Sequence, residues 1–89
     1  MIEQERKEKA KRLFEEIEEV VSNAYERWLD EKEYEDINDY AILFQSKVEA
    51  IGGQFIRMTK RPFGFIYTLD EATYQVSINN TRYKYVRIK

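Results

Sequence analysis

Seventeen carboxylates and fifteen basic side chains are spread over 89 residues, with no histidine and no cysteine among them. That inventory limits the reactions open to the chain. Lacking His, it has neither the commonest general base nor the commonest transition-metal ligand. Lacking Cys, it has no thiol nucleophile, no thiolate metal site and no disulfide. A nucleophile would have to be Ser22, Ser46 or Ser77. Ser46 and Lys47 are adjacent, and adjacent residues on a helix point their side chains apart. Paired carboxylates can transfer protons when one is buried enough for its pKa to rise. Here nearly all the acids fall on one helical pattern, on or near its solvated side. Asp36-x-Asn38 opens like a calcium loop, but the sixth and twelfth positions, which need Gly and Glu, hold Ala41 and Lys47. The glycines Gly52, Gly53 and Gly64 lack the spacing of a phosphate-binding loop. The residues therefore predict no enzyme, no bound metal and no cofactor.

Binding chemistry is better represented. Glu15, Glu19, Ser22, Glu26, Asp30 and Glu33 lie within about 60° of one another on a helical wheel of 3.6 residues per turn. This mostly negative ridge could occupy a basic groove on a partner. Arg57, Arg61, Arg82 and Lys84 stand among Thr, Ser and Gln in the C-terminal third, a composition that could lie against a nucleic-acid backbone. Among the apolar residues, Phe55, Phe63 and Ile66 fit a covered face least well and are candidate protein contacts. The charge is split along the chain: residues 1–51 carry 8 Lys/Arg and 15 Asp/Glu, residues 52–89 carry 7 and 2.

These residues need elements to hold them. From about Glu3 to Tyr34 there is neither Gly nor Pro, and Leu13, Ile17, Val20, Val21, Ala24, Tyr25 and Trp28 recur at helical spacing. Up to about Lys11 there is almost no apolar position, so residues 1–12 are expected to fray or to serve in association. Pairs such as Glu3/Lys7, Glu5/Lys9 and Glu8/Arg12 would be their support. A second helix is expected from Asn38 as N-cap to Ile51, with Ile37 stapled to Ile42 and Gly52-Gly53 as its stop. Tyr40, Ala41, Phe44, Val48 and Ile51 would form its buried stripe.

From Gln54 to Lys89 apolar and polar residues alternate, with turns expected at Arg61-Pro62-Phe63-Gly64, Asp70-Glu71 and Asn79-Asn80. Ile56, Met58, Phe65, Tyr67, Leu69, Tyr74, Val76, Ile78, Tyr83 and Tyr85 then share one face. Pairing is expected between Met58 and Tyr67, Tyr67 and Tyr74, and Tyr74 and Tyr85. Arg57, Thr68, Thr73 and Val86 would make one polar row, and Arg61, Ser77 and Arg82 another.

The pattern specifies a single α+β domain over residues 1–89: two N-terminal helices, helical through 13–51, packed on one face of an antiparallel meander of three to four strands over 54–89. The first nine residues are too charged for a signal peptide, and Ala41–Phe44 is the longest apolar run, so a soluble cytoplasmic protein is expected. The expected function is a non-enzymatic interaction module, regulatory or inhibitory, with another protein as partner through the acidic helix face or the exposed strands. A homodimer through the long first helix is a further expectation, and nucleic-acid binding by the basic sheet face is the alternative. No membrane partner is expected.

Overall fold

The computed structural model describes residues 3–31, 36–80 and 82–89. Helix α1 spans Glu3–Glu31, a 3-10 turn spans Ile37–Tyr40 and helix α2 spans Ala41–Ala50. Four strands complete the chain: β1 Gln54–Lys60, β2 Phe63–Leu69, β3 Ala72–Asn79 and β4 Arg82–Arg87. They form one sheet in the order β1-β2-β3-β4, each antiparallel to the next. This is the expected α+β layout, with both helices on the aromatic side of the meander.

The long helix is held to the sheet by its apolar stripe. Leu13, Ile17, Val21 and Ala24 are buried, while Phe14, Val20, Tyr25 and Trp28 pack against the core from its margins. At about 1.5 Å per residue its 29 residues span roughly 43 Å, and the molecule measures 42 Å along its longest axis. The first three turns, poor in apolar residues, nevertheless reach the sheet. Ala10 is fully buried, and Arg6 is buried with its guanidinium 3.7 Å from Asp70, in the β2–β3 turn. Glu3 lies 3.8 Å from Arg6, 3.7 Å from Lys7 and 3.7 Å from Arg87, so both ends of the chain meet there.

Helix α2 begins differently from expectation. Asp36, not Asn38, is the cap: its carboxylate accepts from the Asn38 backbone N–H at 2.9 Å and opens the 3-10 turn. That turn has about three residues per revolution, which changes the phase of the helix it leads into. Ile37 is buried but Ile42 points outward, 78% exposed, and cannot be its staple. Tyr40, Phe44 and Val48 are buried and Ala41 and Ile51 partly so, as the stripe predicts. Phe44 stacks on Phe65 with ring centroids 4.8 Å apart. Gly52, at φ +85°, ends the helix, and the Gly53 N–H donates to the Val48 carbonyl.

In the sheet the central register is as expected, Tyr67 facing Tyr74. The two outer hairpins are each displaced by two residues: Met58 faces Phe65, and Tyr85 faces Val76. An even displacement by itself moves no side chain to the other face, so the aromatic side is as expected except at Phe55 and Ile56. The first reversal is a two-residue turn of Arg61 and Pro62, joined by a cis peptide and closed by Lys60 opposite Phe63. The Thr59 hydroxyl donates to the Pro62 carbonyl across it. Gly64 is thus a strand residue rather than the end of a turn. It sits against Ser77, where a Cβ would run into the Val76 carbonyl and the Ser77 backbone.

One residue of β1 breaks the alternation. The pairing steps from Phe55–Tyr67 to Arg57–Ile66, leaving Ile56 as an extra residue in a bulge. Phe55 therefore faces the helices, its ring 5.9 Å from Phe65, and Ile56 turns away to be 47% exposed. The expected inward Ile56 is replaced by Phe55.

Candidate interaction surface

The helices occupy one side of the sheet, and no described element covers the other. On that open face the rows run Arg57–Ile66–Gln75–Val86 and Thr59–Gly64–Ser77–Lys84, read across the register. Arg57 thus lies beside Ile66 rather than Thr68, and Lys84 beside Ser77, because the outer hairpins are shifted by two residues. Arg82 faces Asn79 at the turn end of the same face. None of the four strands contains an acidic residue. Arg57, Arg82 and Lys84 are exposed, so the charged side chains that the strands bring to this face are all cationic.

Between these cations lies an apolar row that alternation only partly announces. Ile66 is on the open side but only 7% exposed, flanked across the strands by Arg57 and Gln75. Val86 at 45% and the bulged Ile56 at 47% stand at either side of it. Ile88, whose N–H donates to the Thr73 carbonyl at 2.8 Å, continues the row past the end of β4. Such a patch, apolar within a polar rim, has the anatomy of an interface. The bulge adds Ile56 to the patch, since an unbulged β1 would point it into the core.

The remaining candidates separate. Glu15, Glu19, Glu26 and Asp30 are exposed along α1, with Ser22 partly covered between them. Glu33 lies outside the described residues. Phe55 is half-buried under α2 and Phe63 is sealed in the core, within 5.7 Å of the rings of Tyr25, Trp28 and Tyr40. Phe63 reads as core rather than contact because the strand begins at it, one residue after Pro62. Arg61 is exposed in the turn, away from the sheet rows, and shares with Lys60 the lip of a groove of about 500 Å³ lined by Tyr25, Trp28 and Pro62. A neighbouring groove, between α1 and the β3–β4 end, is bordered by Glu18, Glu26 and Tyr83.

Inside the core, Tyr67 and Tyr74 stack with centroids 5.5 Å apart, and their hydroxyls have no hydrogen-bond partner among the described residues. Burial, then Tyr74 and Tyr85 beside it, pushes the Tyr67 phenol above its ordinary pKa of 10.0. The Tyr83 hydroxyl donates to the Phe14 carbonyl at 2.8 Å, tying β4 to α1. Its pKa is raised too, by burial first, then by Glu18 and Tyr67. No carboxylate is buried among the described residues, whose buried polar side chains are Arg6 and Ser77. Nor do three or more of their acidic groups gather as a metal site would need. No helix among them is long and apolar enough to cross a membrane. Protein-family models, curated proteins and solved structures yield no match to this chain.

Proposed function

We propose that this chain is a small cytoplasmic, non-enzymatic interaction module, regulatory or inhibitory, that docks on an acidic surface of another protein through the open face of its sheet. The observation that carries this reading is the apolar row of Ile56, Ile66, Val86 and Ile88 set among Arg57, Arg82 and Lys84 with no acid on the strands. The exposed members of the row, Ile56, Val86 and Ile88, would supply burial energy on docking, at roughly 25 cal/mol per Å². The cations around them select an acidic partner and speed its approach.

The same cations suit nucleic acid, but the aromatic residues speak against that use. Single-stranded binders stack bases on aromatic rings displayed by an open sheet. Here Phe55, Phe63, Phe65, Tyr67, Tyr74, Tyr83 and Tyr85 all belong to the helix-covered side. What stands on the open face is aliphatic.

Affinity capture from native host extract tests the reading when three proteins are compared: the wild type, Arg57→Glu/Lys84→Glu on the open face, and Glu15→Lys/Glu19→Lys/Glu26→Lys on the helix ridge. A partner retained by the wild type and the ridge variant, and lost by the face variant, is expected. Loss by the ridge variant alone would move the contact to α1. Binding to mixed DNA and RNA that falls steeply with salt, and disappears in Arg82→Glu/Lys84→Glu, would replace the protein partner with nucleic acid.

A further inference from the structure

The sheet has edges as well as a face, and its two edges are unlike. With strand order β1-β2-β3-β4, the outer sides of β1 and β4 have no neighbouring strand among the described residues. The β1 edge is interrupted by the bulge at Ile56, and bulges end regular pairing. The β4 edge is regular from Arg82 to Arg87. Asn79 and Arg82 close a two-residue hairpin, so they form a hydrogen-bonded pair, and bonded and non-bonded pairs alternate along the ladder. By that alternation the backbone N–H and C=O groups of Tyr83, Tyr85 and Arg87 point away from β3, toward open space.

Charge decides what could add there. Residues 82–89 hold Arg82, Lys84, Arg87 and Lys89 and no acid. Pairing β4 with β4 of a second copy would set these four cations against four more, which is how edge strands avoid their own kind. We propose that the β4 edge receives an extended acidic segment of a partner protein as a fifth strand. This goes beyond docking on the open face, since its contacts are backbone groups on the rim of the sheet.

The surroundings of the edge also fix the pattern of the segment. On the open side stand Arg82 and Lys84, with Val86 after them, all exposed. On the helix side lie the half-buried rings of Tyr83 and Tyr85, and Glu18 borders the groove beside Tyr83. Arg87 also turns to that side, where Glu3 lies 3.7 Å away and already partners it. An added strand therefore places its acids at every second position, beside Arg82 and Lys84. Apolar residues alternate with them, against the tyrosine rings and away from Glu18.

The test uses the full chain and a blocked nonapeptide alternating glutamate and valine, with amide exchange followed residue by residue by NMR. Exchange at Tyr83, Tyr85 and Arg87 is expected to slow on binding while Arg57 on β1 is unchanged. A peptide of the same composition with its glutamates in one block, and the alternating peptide N-methylated at every second amide, are expected to lose that protection. Lys84→Glu is expected to weaken binding, with its unbound spectrum confirming the fold. Absence of binding at millimolar peptide, or equal binding by the N-methylated peptide, would overturn the proposal. So would perturbations confined to Ile66, Gln75 and Val86 with the three edge amides unprotected, a result that would leave the open face standing as the contact.

Discussion

The two tyrosines with raised pKa values give the core a chemical signature that can be read from outside. Tyr67 is wholly buried and its hydroxyl meets no hydrogen-bond partner among the described residues. A buried hydroxyl without a partner costs about 1–3 kcal/mol relative to one that is paired. Removing it is therefore not a loss: Tyr67→Phe is expected to leave stability at neutral pH unchanged or raised by up to about 1 kcal/mol. The pH dependence has a definite sign. In the fold, burial favours the neutral phenol of Tyr67 and of Tyr83, so each holds its proton to higher pH than in the unfolded chain. Their contribution is complete below pH 10.0, the ordinary phenol value, and is lost as pH rises beyond it toward the folded values. Urea midpoints measured from pH 7 to pH 11 are expected to fall above pH 10, less steeply in Tyr67→Phe than in the wild type. A lower midpoint for Tyr67→Phe at pH 7 would mean that the hydroxyl is satisfied after all.

At the scale of elements, the question is what holds the first three turns of α1. Their i, i+4 pairs contribute about 0.2–0.5 kcal/mol each, too little for a helix end to stay down. The added anchor is tertiary: Arg6 lies against Asp70, and Glu3 against Arg87. Asp70→Asn isolates that anchor, because Asn tolerates the positive φ of 61° that Asp70 adopts and yet removes its charge. Amide exchange in residues 6–12 is expected to quicken in Asp70→Asn while residues 17–24, whose apolar side chains remain docked, keep their protection. Unchanged exchange across the whole helix would show that Ala10 and the helix itself suffice. This anchor was beyond the reach of sequence reasoning, since Arg6 and Asp70 are 64 positions apart and nothing local couples them. The amphipathic stripe of α1, the stripe of α2 and the face of each strand were legible, because one buried side imposes a period that the residues repeat. The bulge was not, because Phe55 and Ile56 are both apolar and either satisfies an alternation. Phe63 was misread for a related reason: Pro62 and Gly64 look like turn residues on either side of it, whereas Gly64 serves a close approach of β2 to β3. At the open face the cations, Ile66 and Val86 were visible in the sequence. Ile56 was not, for it joins them only through the bulge.

For the whole molecule the decisive feature is that its two outer surfaces differ in sign. One is the α1 ridge of Glu15, Glu19, Glu26 and Asp30, and the other, across the two layers, is the cationic sheet face. A second copy could bring its ridge to that face, but a head-to-tail contact of this kind need not close. Two sheet faces brought together would match their apolar rows and oppose their cations. The proposed acidic partner with an apolar centre would match both halves of the patch. The patch should then be dispensable for folding, since the core lies wholly between sheet and helices. Ile56→Thr/Val86→Thr, which keeps β-branched side chains in both strands, is expected to move the stability of the fold by no more than about 0.5 kcal/mol, as surface changes do. Phe65→Ala, one position from Ile66 on the same strand but facing the helices, is expected to cost about 3–5 kcal/mol. Denaturant midpoints of the three proteins check this directly. Near-equal losses for the two variants would mean that the apolar row is part of the core. A large loss for Phe65→Ala alone would show that Ile56 and Val86 are not needed by the fold, as the proposed docking face requires.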